Sequence, residues 1–290
     1  MTVGDLRDVS DASDPSDVSD ASNPRGQRHV RPPAVAGSFY PAEPVALRQA
    51  VKEALEQAIA HSVPAPAPKA VIAPHAGYAY SGAVAATAYA RVLPARGRIE
   101  RVVLLGPAHR VQLSGVAVSQ ADAFATPLGE VAVDAEAREK VLRMPTVVAS
   151  DEAHAQEHSL EVHLPFIQVV LGDLAVLPLA VGQMPAADVA DVLDAVWAGP
   201  ETLVVLSSDL SHYHDHSTAV ALDRATAQAI EACRPGDVGL DRACGVFALR
   251  GLLVAALRRR LEVTTVDLRT SADTAGSPES VVGYGSFVLT

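Results

Sequence analysis

Val102-Val103-Leu104-Leu105-Gly106-Pro107-Ala108-His109 decides how this chain is read. Four apolar residues in a row suit a strand buried on both faces. The Gly-Pro turn that follows is rigid and aims a histidine. Two other stretches do the same. Val71-Ile72-Ala73-Pro74 delivers His75, and Leu203-Val204-Val205-Leu206-Ser207-Ser208-Asp209-Leu210-Ser211 delivers His212. Open α/β sheets bind their ligands at the carboxyl ends of strands. If these strands are neighbours, three imidazoles converge in one cleft, and a metal site is the simplest use for them.

Outward from these strands, apolar runs alternate with helical periodicity. Leu47, Val51, Leu55 and Ala58 give helical spacing over residues 43–60, with Pro44 in the first turn. Strands are expected at 69–73, 101–105, 174–181 and 202–206, with a β-rich stretch near 115–133. Helices are expected at 82–92, 134–143, 159–172, 186–197, 217–232 and 245–259. Strands near 262–268 and 281–289 close the chain. This order predicts an α/β fold: a single domain, residues 30–290, with a mainly parallel sheet flanked by helices.

Residues 1–29 differ. Asp8-Val9-Ser10-Asp11-Ala12-Ser13 recurs as Asp17-Val18-Ser19-Asp20-Ala21-Ser22, with little apolar content, and predicts a disordered acidic tail. The tail lacks the glycine and closing glutamate of a calcium loop.

Composition narrows the function. The formal net charge of -11 argues against nucleic acid, which needs clustered Lys and Arg. No basic amphipathic helix suggests a membrane surface, and no apolar run is long enough to cross one. Two cysteines make no disulfide framework, and the acidic start is unlike a secretory signal, so a cytoplasmic protein is expected.

Several clusters carry candidate chemistry. His75 lies in Pro74-His75-Ala76-Gly77-Tyr78, where Gly77 permits a tight turn. Asp209 is placed to orient a liganding imidazole through its second nitrogen. His214 and His216 read as exposed loop residues. Cys244 opens the expected 245–259 helix beside Arg242, an environment that would lower its thiol pKa. Cys233 reads as an inert small residue. In Glu157-His158-Ser159-Leu160-Glu161-Val162-His163, Ser159 is a candidate helix cap. The spacing is not that of a zincin, since His158 and His163 cannot share a helical face. One or two of these residues are expected at the cleft, or else they form only a capping network. Ser207-Ser208-Asp209 follows a strand but lacks the Gly-x-Ser-x-Gly elbow of a serine hydrolase.

These motifs, in this order, resemble the Memo family, called protein B of the AmmeMemoRadiSam system in prokaryotes. Arg31-Pro32-Pro33-Ala34-Val35-Ala36-Gly37-Ser38-Phe39-Tyr40-Pro41 looks like its opening. The His75, His109, Glu157–Pro165, Ser207–His212 and Cys244-Gly245 motifs follow, then Asp273-Thr274-Ala275-Gly276 and Val282-Gly283-Tyr284-Gly285. The resemblance implies a fold like that of class III extradiol ring-cleaving dioxygenases. It implies His75, His109 and Cys244 as metal ligands and His212 as a fourth ligand or acid–base group. Asp209 carries over as its neighbour, with Tyr78, Glu157, His158 and His163 around the pocket. Iron and copper are the expected metals, and zinc is chemically open. A cysteine where the dioxygenases have a carboxylate means ring cleavage does not follow from the fold. The expectation is a metal-dependent oxidoreductase acting on a small molecule. The alternative is a non-catalytic module binding a peptide or protein in the same cleft. By the system's name, AMMECR-like and radical-SAM proteins are the expected partners.

Overall fold

The computed structural model describes residues 28–61 and 65–290. The expected acidic tail lies almost wholly outside the described residues, as does Pro64 of the proline-rich connection. Arg28 and His29, expected in the tail, are instead tied to the domain: Arg28 pairs with Glu130, and the His29 backbone exchanges hydrogen bonds with Asp122.

Twelve strands form one sheet among the described residues: β1 (Val30–Arg31), β2 (Ala70–Ala73), β3 (Arg101–Pro107), β4 (Val116–Val118), β5 (Ala123–Thr126), β6 (Gly129–Val133), β7 (Val147–Ala149), β8 (Ala175–Val181), β9 (Thr202–Ser207), β10 (His212–His214), β11 (Val263–Thr270) and β12 (Val281–Leu289). The order is β1-β5-β6-β8-β3-β9-β2-β12-β10, with β11 paired to β12 and with β4 joining β8 and β7. The central run β6-β8-β3-β9-β2 is parallel throughout. Antiparallel pairing enters at the flanks, where β12 meets β2, β10 and β11, and where β5 meets β6 and β4 meets β8.

Helices cover both faces, as a buried parallel sheet requires. They are α1 (Pro44–Ala60), α2 (Ala83–Val92), α3 (Ala135–Val141), α4 (Glu152–Ala155), α5 (Leu164–Leu171), α6 (Ala186–Val196), α7 (His216–Glu231) and α8 (Val246–Arg259). The period-2 alternation of strand side chains divides the core in two. Val71, Val102, Leu104, Leu203 and Val205 pack toward α1, α2 and α5. Ile72, Val103, Leu105, Val204 and Leu206 pack toward α3, α6, α7 and α8. Each such aliphatic side chain, removed from water, contributes about 1.5–3 kcal/mol.

The register levels the strand ends. Ala73 pairs with Ser207, and Leu105 with Leu206, so β2, β9 and β3 finish side by side with β9 in the middle. Gly106 lets the end of β3 touch the neighbouring turn: a Cβ there would stand 2.8 Å from Leu160 and 2.9 Å from Ser159. The helix expected from Ser159 begins only at Leu164, after a 3-10 turn over Glu161–His163. Pro165 sits in the first turn, where its missing N–H costs nothing, and so sets the start. Ser159 is therefore no cap; its hydroxyl donates to the Pro107 carbonyl.

Candidate metal centre

His75 and His109 leave the ends of β2 and β3 on either side of β9, and Cys244 enters from the turn before α8. One donor atom from each lies within 4.8 Å of the other two. His75 Nε2 and Cys244 Sγ are 3.3 Å apart. The His75 and His109 rings meet edge to face at 5.2 Å.

Each imidazole is held through its other nitrogen. Ser207 Oγ lies 2.6 Å from His75 Nδ1 and 2.6 Å from the Ser159 carbonyl. Its single proton goes to that carbonyl, so it accepts from His75 Nδ1–H, and Nε2 keeps its lone pair. Burial, then the neighbouring His109, His158, His163 and His212, push the His75 pKa well below the usual range, so the ring is neutral. His109 Nδ1 donates to Glu157 Oε1 at 2.9 Å, and its backbone N–H donates to Oε2 at 2.5 Å. Ser159 N–H also donates to Oε1. Burial alone would raise the Glu157 pKa. The His109 hydrogen bond and charge, with the two backbone donors, outweigh it and hold the carboxyl at about 2. A carboxylate or hydroxyl on the far nitrogen is the usual way to fix a liganding imidazole.

Cys244 departs from the sequence expectation. α8 starts at Val246 with Gly245 as its cap, so the thiol stands ahead of the helix, and Arg242 pairs with Asp241 instead. Burial, then the Asp209 carboxylate, push the thiol pKa up. The Asp209 backbone N–H points at Sγ from 3.2 Å, and Ser208 Oγ lies 3.8 Å away. Gly245 allows this approach, since a Cβ there would be 2.9 Å from the Ser207 carbonyl.

Asp209 is also used differently. It accepts from the backbone N–H of His75, at 2.8 Å, rather than from an imidazole. Ser207 takes that role for His75, and Glu157 takes it for His109. Burial pushes the Asp209 carboxyl up to about 7, against the His75 N–H, His109 and the Ala76 N–H.

His158 joins the cluster, with its ring 4.9 Å from His109 and 5.5 Å from His75. Its Nδ1 lies 3.4 Å from Glu157 without a hydrogen bond, and burial brings its pKa to about 4. His212 stands outside the close group of three. Its Nδ1 is 2.8 Å from the Leu210 carbonyl, which leaves Nε2 free; burial lowers its pKa. Tyr78 and His163, expected around the pocket, are spent elsewhere. The Tyr78 hydroxyl donates to the Val162 carbonyl, and its ring packs on Tyr40 and Phe166. His163 is buried against Tyr89, with Nδ1 3.0 Å from the hydroxyl and its pKa brought down to about 3 by burial. His214 and His216 are half-buried rather than exposed, and His216 Nδ1 contacts Thr270.

The donor set fits a metal ion. Both imidazoles have Nδ1 engaged, and a thiol 3.3 Å from His75 Nε2 suits donors spaced about 3.3–3.8 Å around a tetrahedral ion. Such a set suits zinc, copper or iron better than magnesium or calcium. The sequence marks Ser159 only as a candidate cap and Ser207 only beside a missing hydrolase elbow; their joint hold on His75 escapes it because the contacts span 132 and 48 residues of chain.

Residues 31–288 match the family model described as Memo-like protein. A MEMO1 family protein of Methanothermobacter thermautotrophicus is 37% identical over 277 residues, covering 88% of this chain and 98% of that protein. MEMO1 family proteins of Sulfolobus acidocaldarius and Aquifex aeolicus are each 35% identical, covering 88% of this chain and 97% of their own lengths. A crystal structure of an uncharacterized Escherichia coli protein is more distant, with a TM-score of 0.48 at 14% identity over 76% of this chain.

Proposed function

The chain belongs to the Memo-like protein family, and from that premise we propose that it is a metal-dependent oxidoreductase whose ion is held by His75, His109 and Cys244. One observation carries this reading: both imidazoles have Nδ1 engaged by an acceptor, His75 Nε2 stands 3.3 Å from the thiol, and one donor atom from each of the three residues lies within 4.8 Å of the other two. A redox-active ion bound there would supply Lewis acidity and one-electron chemistry. The protein's part is to orient and to manage protons. Ser207 and Glu157 fix the two rings, and the Asp209 backbone steadies the sulfur. Loading a divalent ion displaces the thiol proton, so uptake is accompanied by proton release. His212, with Nδ1–H committed to Leu210, offers Nε2 as a proton acceptor for a small molecule in the cleft. We place the protein in the cytoplasm, with iron or copper as the working ion.

The test is elemental analysis of purified protein with its Cys244→Ser and His75→Ala variants. About one equivalent in the wild type, and at least a tenfold loss in both variants, is expected. Wild-type content in both variants contradicts the assignment. Oxygen uptake by iron- or copper-loaded protein tests the redox half; a full complement of metal with no uptake on any small molecule would leave a binding protein.

A further inference from the structure

Tyr213 stands next to the cleft and carries two costs. Its φ is +63°, the left-handed region that side chains other than glycine rarely occupy. The residue is 81% exposed. Both follow from a bulge in β10: His212 pairs with Val282 and His214 with Val281, and Tyr213 is the residue between them that the ladder skips. The ring lies 5.7 Å from that of His212, edge to face. His212 in turn lies close enough to His75 and His109 to share their electrostatics. A molecule lying on the Tyr213 ring would therefore border the cleft.

The distribution of aromatic residues points the same way. Aromatic residues make up 4% of the chain. Among the described residues, the strongly exposed aromatic side chains are Tyr80 and Tyr213. Tyr80 lies in the helical turn Tyr78–Gly82 that follows His75, and Tyr213 lies in β10 directly after His212, so both follow a cleft histidine along the chain.

We infer that Tyr213 is a ligand-contacting residue: it stacks on a flat, ring-bearing small molecule whose polar edge faces His212 and the His75–His109–Cys244 centre. The inference rests on the metal-site reading for the position of the polar edge, but the stacking contact is independent of the metal's identity. Strain and exposure are kept because bulging the strand turns the ring outward beside His212, where a regular strand would have paired the residue.

The test uses the full-length, metal-loaded protein with benzyl alcohol and cyclohexylmethanol as probes, read by saturation-transfer NMR. The two alcohols are alike in size and differ in aromaticity. Wild-type protein is expected to bind benzyl alcohol in preference to cyclohexylmethanol. Tyr213→Gly should weaken benzyl alcohol roughly fivefold, the scale of one aromatic contact. Tyr213→Phe should stay within about twofold of wild type. Tyr213→Gly should also keep its metal and show an unchanged or slightly higher Tm, because glycine relieves the φ strain. A merely structural tyrosine would instead lower Tm. Equal affinity for both alcohols, no binding, binding unchanged in Tyr213→Gly, or a lowered Tm in that variant each overturns the inference. Loss of metal in Tyr213→Gly alone overturns it too, since the ring would then brace the centre. Absence of metal from the wild type strikes the metal-site reading instead.

Discussion

Glu157 and Glu161 sit four residues apart in one motif, both buried, both loaded with donors, and they serve different ends. Glu157 takes the imidazole and backbone of His109 and the backbone of Ser159, all at the cleft. Glu161 takes Arg31, the Tyr40 hydroxyl and the backbone N–H groups of Ala34 and Val35, all from the start of the domain. Residue type and burial do not distinguish them; partners do. One carboxylate fixes a prospective ligand, and the other anchors an N-terminal segment. Arg31 links the two regions, because its guanidinium also donates to the carbonyls of His154 and Glu157.

The sharpest way to break the comparison is Glu161→Ala. It strands the Arg31 charge, which is 4% exposed, and removes an acceptor from four donors. A loss of about 3–5 kcal/mol is expected, with Tm down by about 10 °C and metal affinity changed far less. Thermal unfolding and metal titration of the same sample check it. An affinity loss as large as the stability loss would show that the two carboxylates act as one unit.

Glu157→Gln is the converse. It keeps the shape but gives His109 a weaker, uncharged partner. Metal affinity should fall about 10- to 100-fold, and the stability that the ionised carboxylate adds above pH 4.5 should go with it. An unchanged affinity would sever Glu157 from the centre.

Acid titration gives a smaller effect that still separates regions. The Glu157 carboxyl is held at about 2, below its ordinary 4.5, so the stability it adds is present above 4.5 and is lost as pH falls toward 2. His163 is held at about 3, below its ordinary 6.5, so the unfolded chain gains its proton first and stability drains between 6.5 and 3. Glu157→Gln should flatten the lower window and His163→Phe the upper one. Denaturant midpoints measured across pH read both; a Glu157→Gln curve unchanged below pH 4.5 would contradict the hydrogen bonding described.

Much of this was legible in sequence because it is local. Apolar runs ending in Pro74-His75 and Gly106-Pro107-Ala108-His109 signal strand and turn within a few residues. The strand–helix alternation fixed a parallel centre, though not the antiparallel flank, which depends on where β12 inserts. The rest is set by partners far along the chain. Arg31 and Glu161 are 130 residues apart, and Ser207 and His75 are 132 apart. No local pattern says that Glu157 turns to the cleft while His163 turns to Tyr89. Cys244 misled for a related reason: its place ahead of α8 was nearly right, but the burial that raises its pKa comes from tertiary packing. Pro165 did carry the signal for the later start of α5, and Ser159 drew attention from it.

The central claim is that two imidazoles and one thiol hold the same ion. X-ray absorption on zinc-loaded protein measures this directly. Two nitrogen neighbours at about 2.0–2.1 Å and one sulfur at about 2.3 Å are expected, with the sulfur shell gone in Cys244→Ser. A shell of nitrogen and oxygen alone, or a spectrum that Cys244→Ser leaves unchanged, would contradict it.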